Sequence, residues 1–375
     1  MSRRRHLCLA LLLLTRLALA SPTHASEQSL SLSAAMSSVY NNNFLEYSDN
    51  QLTTFQAGTH PLRFAVQSTD DAIFSPGLSL TWDLDQGGGR RHALRAHGDG
   101  DFHGTNSGAD RRSYSGRWTE SFSGGRRLAL GYSRLDHYYV RQLRDEDLFV
   151  LLPATATTTQ KDATWQRAEF DQAAVSASWR EPLGKRANLG LAYRYEKRDY
   201  VPAFRERSAR ANQGEVSVGW NDLPHHGELE LSGGYRQSKA EATDGDAIVG
   251  DDDDVSFHGR LAGVTGRVEF TRSRALRWRG DLGVDVASRA YDSKRPPAVD
   301  PFHVGRNDML LGFEAGLRAA WHRWDARAFL RIENNTANLG TGASPTSDSG
   351  SYHEHQFGLE LSWSGAIWKS RTKPE

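Results

Sequence analysis

Between Leu276 and Val286 the chain alternates without a break. Leu276, Trp278, Gly280, Leu282, Val284 and Val286 are apolar or glycine, while Arg277, Arg279, Asp281, Gly283 and Asp285 between them are charged or glycine. Successive side chains of a strand point to opposite faces, so this segment sets an apolar face against a charged one. A strand between lipid and water needs that pattern. The same period recurs at Leu128, Leu130, Tyr132, at Ala173, Val175, Ala177, Trp179, at Leu189, Leu191, Tyr193, Tyr195, and at Leu229, Leu231, Gly233, Tyr235. It returns from Met309 to Trp321, from Ala326 to Ile332 and from Phe357 to Trp363. Within Val255 to Phe270 the phase slips around Gly263, which predicts a bulge there.

Clusters of Gly, Pro, Asn, Asp and Ser separate these runs into connections of two kinds. Short ones, such as 85–90, 123–126, 181–186, 221–227, 272–274 and 322–323, alternate with long ones such as 41–50, 99–111, 139–164, 199–211, 238–253, 291–305 and 334–351. Outer-membrane barrels sort their turns this way, short on the periplasmic side and long outside, so the long loops are expected to be extracellular. The fold class is therefore all-β, an antiparallel up-and-down transmembrane β-barrel. Counting strands gives about 16, at 29–40, 51–58, 62–68, 77–84, 91–99, 112–122, 127–138, 165–180, 187–198, 212–220, 228–237, 254–271, 275–290, 306–321, 324–333 and 352–366. If 51–58 and 62–68 form a loop instead, the count is 14. Trp82, Trp179, Trp220, Trp278, Trp321, Trp324 and Trp363 fall beside short turns, and Tyr40, Tyr138, Tyr195, Tyr235, Tyr291 and Tyr352 beside long loops. Two interfacial girdles are expected.

Composition narrows the setting. Arg3, Arg4 and Arg5 precede an apolar stretch from Leu7 to Leu19 and small residues ending at Ala20 or Ala25, the layout of a secretory signal over residues 1–25. The barrel is expected over 26–366 with an extension over 367–375. Cys8, the only cysteine, lies inside the signal, so the exported chain is expected to hold no disulfide and no thiolate metal site. No later run reaches the roughly 18 to 20 apolar residues of a spanning helix, and mean hydropathy is −0.62. Zero formal charge implies no nucleic-acid partner.

The charged face carries the candidate functional residues. Arg194, Glu196, Glu228, Glu230, Arg277, Arg279, Asp281, Asp285, Glu314, Arg318, Arg327 and Arg331 are expected to line the lumen, with Arg167, Glu169, Asp171 and Glu333 on the same face. At sixteen strands such a lumen is an aqueous channel. These charges either set selectivity or pair across strands and stiffen the wall. Residues 139–164, with Leu148 to Pro153, form the longest connection and could fold inward as a constriction. Asp244, Asp246 and Asp251 to Asp254 make an acidic run without calcium-loop spacing, and His353 and His355 share a strand face but do not make a metal site by themselves. No metal or cofactor is expected, and no hydrolase, phosphate-loop or dinucleotide motif occurs. The leading expectation is a porin-like channel for passive or weakly selective passage of small solutes. A barrel-rim hydrolase using His137 or His303, or a non-catalytic assembly or export barrel, are the alternatives.

The segment from Gln356 to Trp363 resembles the β-signal of Gram-negative outer-membrane barrel proteins: a polar residue (Gln356), glycine two on (Gly358), then Leu361 and aromatic Trp363 spaced by two. In that family the signal usually ends the chain, whereas twelve residues follow Trp363 here. The resemblance implies a porin-type barrel in the outer membrane, in contact with lipid and lipopolysaccharide and inserted by the barrel-assembly machinery. It leaves the oligomeric state open.

Overall fold

A computed structural model describes residues 27–242, 254–272, 276–296, 300, 302–338 and 350–371. The expected signal over residues 1–25 and the acidic residues from Asp244 to Asp253 lie outside them. The described chain forms fourteen strands in one closed ring in which sequence neighbours pair antiparallel and the last strand closes on the first. They are β1 (Glu27–Asn41), β2 (Asp71–Asp85), β3 (Arg91–His103), β4 (Arg111–Ser121), β5 (Arg127–Arg144), β6 (Trp165–Leu183) and β7 (Ala187–Tyr200). The second half is β8 (Ala209–Leu223), β9 (Gly227–Ala240), β10 (Phe257–Arg272), β11 (Arg277–Tyr291), β12 (Asn307–Trp321), β13 (Trp324–Asn338) and β14 (Tyr352–Arg371).

Fourteen rather than sixteen strands result because residues 51–58 and 62–68 are not strands. Asp49–Ala57 is helix α1, opened by a capping box in which Ser48 and Gln51 satisfy each other's backbone amides and closed by Gly58 in the left-handed region, φ 64°. Residues 61–70 are turns and bends. Closure uses more of the C-terminus than the alternation suggests. β14 continues to Arg371, which pairs with Glu27, so residues 367–371 belong to the wall. The bulge also moves. β10 pairs with β11 without interruption through Gly263, and the register shifts between Glu269 and Thr271.

The outer face is apolar. Leu78, Leu130, Val175, Leu191, Val216, Leu282, Leu311, Leu330 and Leu359 are exposed, at alternate positions of their strands. On a water-soluble protein this would be a continuous sticky band, whereas in a bilayer it is the lipid contact. Tryptophans mark the short-turn end of this face: Trp82 pairs across to Leu94, Trp220 to Leu229, and Trp321 to Trp324. The tyrosine girdle is only partly formed. Tyr40, Tyr193 and Tyr235 are exposed, but Tyr291 and Tyr352 share the strand face of Arg289 and Glu354, and their hydroxyls donate to Asp308 at 3.3 Å and Glu333 at 2.6 Å. Tyr138 stacks on Phe170 at 4.9 Å.

Gly358 has a packing reason. The ring of Phe329 on β13 lies over it, so a Cβ at 358 would collide with that ring. A closed sheet has no free edge at which to unravel. The unheated protein should therefore run faster than the boiled protein in a detergent gel, and equal mobility would contradict closure.

Candidate functional site

With fourteen strands in the ring, the face opposite the apolar one is the interior. Register places all twelve lumen candidates there. Glu269, Arg279, Arg318, Arg327 and Glu360 form one transverse row through β10–β14. Arg327 joins Asp281 at 2.6 Å and Glu314 at 2.5 Å, Arg279 reaches Glu269 at 3.7 Å, and Arg318 reaches Asp325 at 3.3 Å. Arg331 pairs with Glu333 at 2.8 Å. Toward the short-turn end Glu228 binds Arg267 at 2.7 Å and Glu230 binds Arg180 at 3.3 Å. Arg277 and Asp285 make no ion pair among the described residues. Arg194 and Glu196 belong to a second group, in which Arg194, Arg198 and Arg236 approach one Glu196 carboxylate at 3.3, 2.8 and 3.0 Å.

Three predicted members belong elsewhere. Arg167, Glu169 and Asp171 share strand parity with outward Val175 on β6, and Asp171 pairs with Arg134 at 3.0 Å. They sit at the long-loop end of the β5–β6 hairpin, where neither face needs to be apolar.

Residues 139–164 are not a single loop. β5 runs to Arg144 and β6 starts at Trp165, with short helices α2 (Glu146–Val150) and α3 (Thr158–Asp162) between them. The segment that turns inward is 42–70. Leu45, Tyr47 and Phe64 bury themselves with Ala109 and Tyr139, and Phe44, Leu52, Phe55 and Val66 pack on that cluster. Arg141 of β5 donates to the carbonyls of Leu45 at 2.9 Å and Glu46 at 3.3 Å. Asn43 donates to the Tyr47 carbonyl at 2.8 Å and to the His353 carbonyl on β14 at 3.1 Å. The carboxylates of Glu46, Glu333 and Glu354 lie within 4.8 Å of one another. β11 and β13 each stand six strand steps from β5 around the ring, in opposite senses. A residue held by Arg141 on β5 and facing Glu333 on β13 therefore spans the mouth, and segment 42–70 is a strap across it. The capping box from Ser48 to Gln51, followed by Leu52, Phe55 and Gly58, was the signal for it.

Among the described residues, neither rim histidine is joined to a serine. His303 Nδ1 lies 2.7 Å from Asp300, and Ser293 donates to that same carboxylate at 2.7 Å rather than to the imidazole, which braces the loop. His137 is solvent-facing, 3.9 Å from Glu169. A Ser–His–Asp contact does occur inside, with Ser79 Oγ 2.8 Å from His97 Nδ1 and His97 Nε2 3.0 Å from Asp99. Ser79 is 5% exposed, its oxygen also accepts from Arg95 at 2.9 Å, and the flanking strand amides are committed to the ladder. No backbone donor pair is left to hold an oxyanion, so this is wall structure.

No protein-family model matches the chain, and no curated protein does. Solved structures similar to it include a bacterial polysaccharide outer membrane secretin (12% identity, 89% of this chain and 98% of that one, TM-score 0.44). A loop-deleted OmpT of Vibrio cholerae (7%, 90% and 99%, 0.43) and the outer membrane channel DcaP of Acinetobacter baumannii (10%, 91% and 97%, 0.43) are others. The closed ladder, the lipid-facing apolar band and the charged interior make the case independently of them. The chain folds as a closed, fourteen-strand antiparallel β-barrel of the outer-membrane type.

Proposed function

We propose that the protein is an outer-membrane channel with a mixed-charge lumen that passes small solutes with weak selectivity. One observation carries this reading: the interior charges toward the short-turn end are wet. Inside the ring, Glu228 and Arg267 keep 44% and 43% of their side-chain surface exposed. Arg180 and Glu230 keep 47% and 44%. A barrel plugged by packed side chains at this end would leave no such access. Most of the arginines are paired, so the field along the pore is a balance of both signs, and small anions and cations should both pass.

The short-turn end of β11 offers a clean test. Arg277 is unpaired among the described residues, and Arg279 has only the distant Glu269 contact. Replacing both by glutamate changes the local charge by about four units where low-dielectric walls confine the field, and the reversal potential in a salt gradient should move toward cations. Leu282→Ala, on the lipid face, should leave it unchanged. Open channels with an unmoved reversal potential would remove these arginines from the conduction path; no conductance at all would remove the channel.

A further inference from the structure

We propose that the lumen wall from β7 to β11 contains a binding site for a small multivalent oxyanion, a solute bearing phosphate or clustered carboxylate groups. This deepens the channel reading and rests on it for the route by which such a solute arrives. The ladders align Arg194, Gln213, Arg236, Gly259 and Arg289 in a single transverse row over five adjacent strands. Arg236 and Arg289 flank Gly259, with backbones roughly 9.5 Å apart at the usual interstrand spacing. A Cβ at Gly259 would run into the carbonyl oxygen of Ser288, so the position between the two arginines takes no side chain. Phe257 stands at the next inward position of β10. Its ring centroid is 5.9 Å from the Arg236 guanidinium and 5.6 Å from that of Arg289, so one aromatic ring borders both. The result is a notch with a glycine floor, an aromatic border and a guanidinium on each side.

Its charge is unbalanced. Arg194, Arg198 and Arg236 share the single carboxylate of Glu196. Arg289 has no ion pair among the described residues. The next residue in the row, Asp308, is already bound by Arg306 at 2.6 Å and by the Tyr291 hydroxyl. Arg194, Arg198 and Arg236 thus bring three guanidiniums to one carboxylate, an excess of two positive charges, and Arg289 beside them has only the Glu46 carboxylate of the strap within electrostatic reach. Nε of Arg236 is buried without a hydrogen-bond partner. Around Arg327, by contrast, one guanidinium meets three carboxylates, those of Asp281, Glu314 and Glu360. Guanidinium forks fit phosphate and carboxylate oxygens two at a time, and an oxyanion in the notch would relieve the repulsion among these arginines.

The test uses the full-length protein, purified and refolded in detergent, with inorganic phosphate and citrate as probes and chloride as reference. Calorimetry should detect binding of at least one probe. In planar bilayers the same probe should interrupt chloride current in a concentration-dependent way, and the pair of probes tells phosphate chemistry from clustered carboxylates. The double variant Arg236→Gln with Arg289→Gln removes charge-assisted hydrogen bonds and should weaken that binding about tenfold or more. Arg289→Lys, which keeps the charge and loses the fork, should fall between. Retained heat-shifted gel mobility establishes that each variant is folded. Binding by wild type and double variant alike, or by neither in detergent, overturns the site. Chloride conduction without probe binding overturns the site and leaves the channel standing. Binding without any conductance supports the site and overturns the channel.

Discussion

Replacing residues 43–69 by a short turn should raise single-channel conductance by about twofold or more, because a barrel of this size is wide enough to conduct only where its lumen is clear. The barrel should survive the change. Asn41 and Asp71 are already paired in register across β1 and β2, so a tight hairpin can join them without moving either strand. What is lost is the strap's own cluster of Leu45, Tyr47 and Phe64 against Ala109 and Tyr139, not any rung of the ladder. Arg141→Ala should give a milder version. It deletes hydrogen bonds from a charged donor to the Leu45 and Glu46 carbonyls and the guanidinium's contact with the Tyr47 ring at 5.3 Å. At about 1.5–3 kcal/mol for a hydrogen bond to a charged group, that should let the strap fluctuate and appear as flickering to a higher-conductance level. Unchanged conductance after excision would mean that the strap lies clear of the permeation path.

The strap is also the part of the molecule that the alternation of residues could not reveal. Period-two patterning reports that one face meets lipid and the other does not, so it located β7, β11, β12 and β13 and the tryptophan end of the wall. It says nothing about a segment folded into the interior, where apolar residues such as Leu52 and Phe55 imitate a short strand once the helix cap at Ser48 is passed over. The interior charges were legible as a face but not as rows. That Arg236 and Arg289 share a level with Gly259 between them depends on the register of three strands, which turn geometry and the bulge beside Thr271 set. Arg167, Glu169 and Asp171 show the opposite failure. Strand parity put them outward, but beyond the apolar band an outward position no longer has to be apolar, so charge alone did not mark the lumen. Tyr291 and Tyr352 were drawn to a girdle by their position near long loops, yet they turn inward because their hydroxyls find carboxylates there.

Raising the pH should open the strap. Glu46 is half-buried at its tip, with φ at 54° in the left-handed region that a residue bearing a side chain tolerates at a cost. It faces Arg141 and Tyr138 from β5, Arg289 from β11, Glu333 from β13, and Tyr352 and Glu354 from β14. Burial first, and then the neighbouring Glu333 charge, push its carboxyl above the ordinary carboxylate range, with Arg141 and Arg289 pulling the other way. In the released strap Glu46 meets water and has its ordinary value. The docked form therefore binds the extra proton. Its advantage is complete below the ordinary carboxylate range and is lost as pH rises through the raised docked value. Mean conductance should climb over that interval as the ionised carboxylate is expelled from Glu333 and Glu354. Glu46→Gln should remove most of the pH dependence and hold the low-conductance level at high pH, because the neutral amide meets no repulsion. A channel that closes on alkalinisation, or a Glu46→Gln variant that titrates like the wild type, would mean that the strap's position is set by something other than this carboxylate.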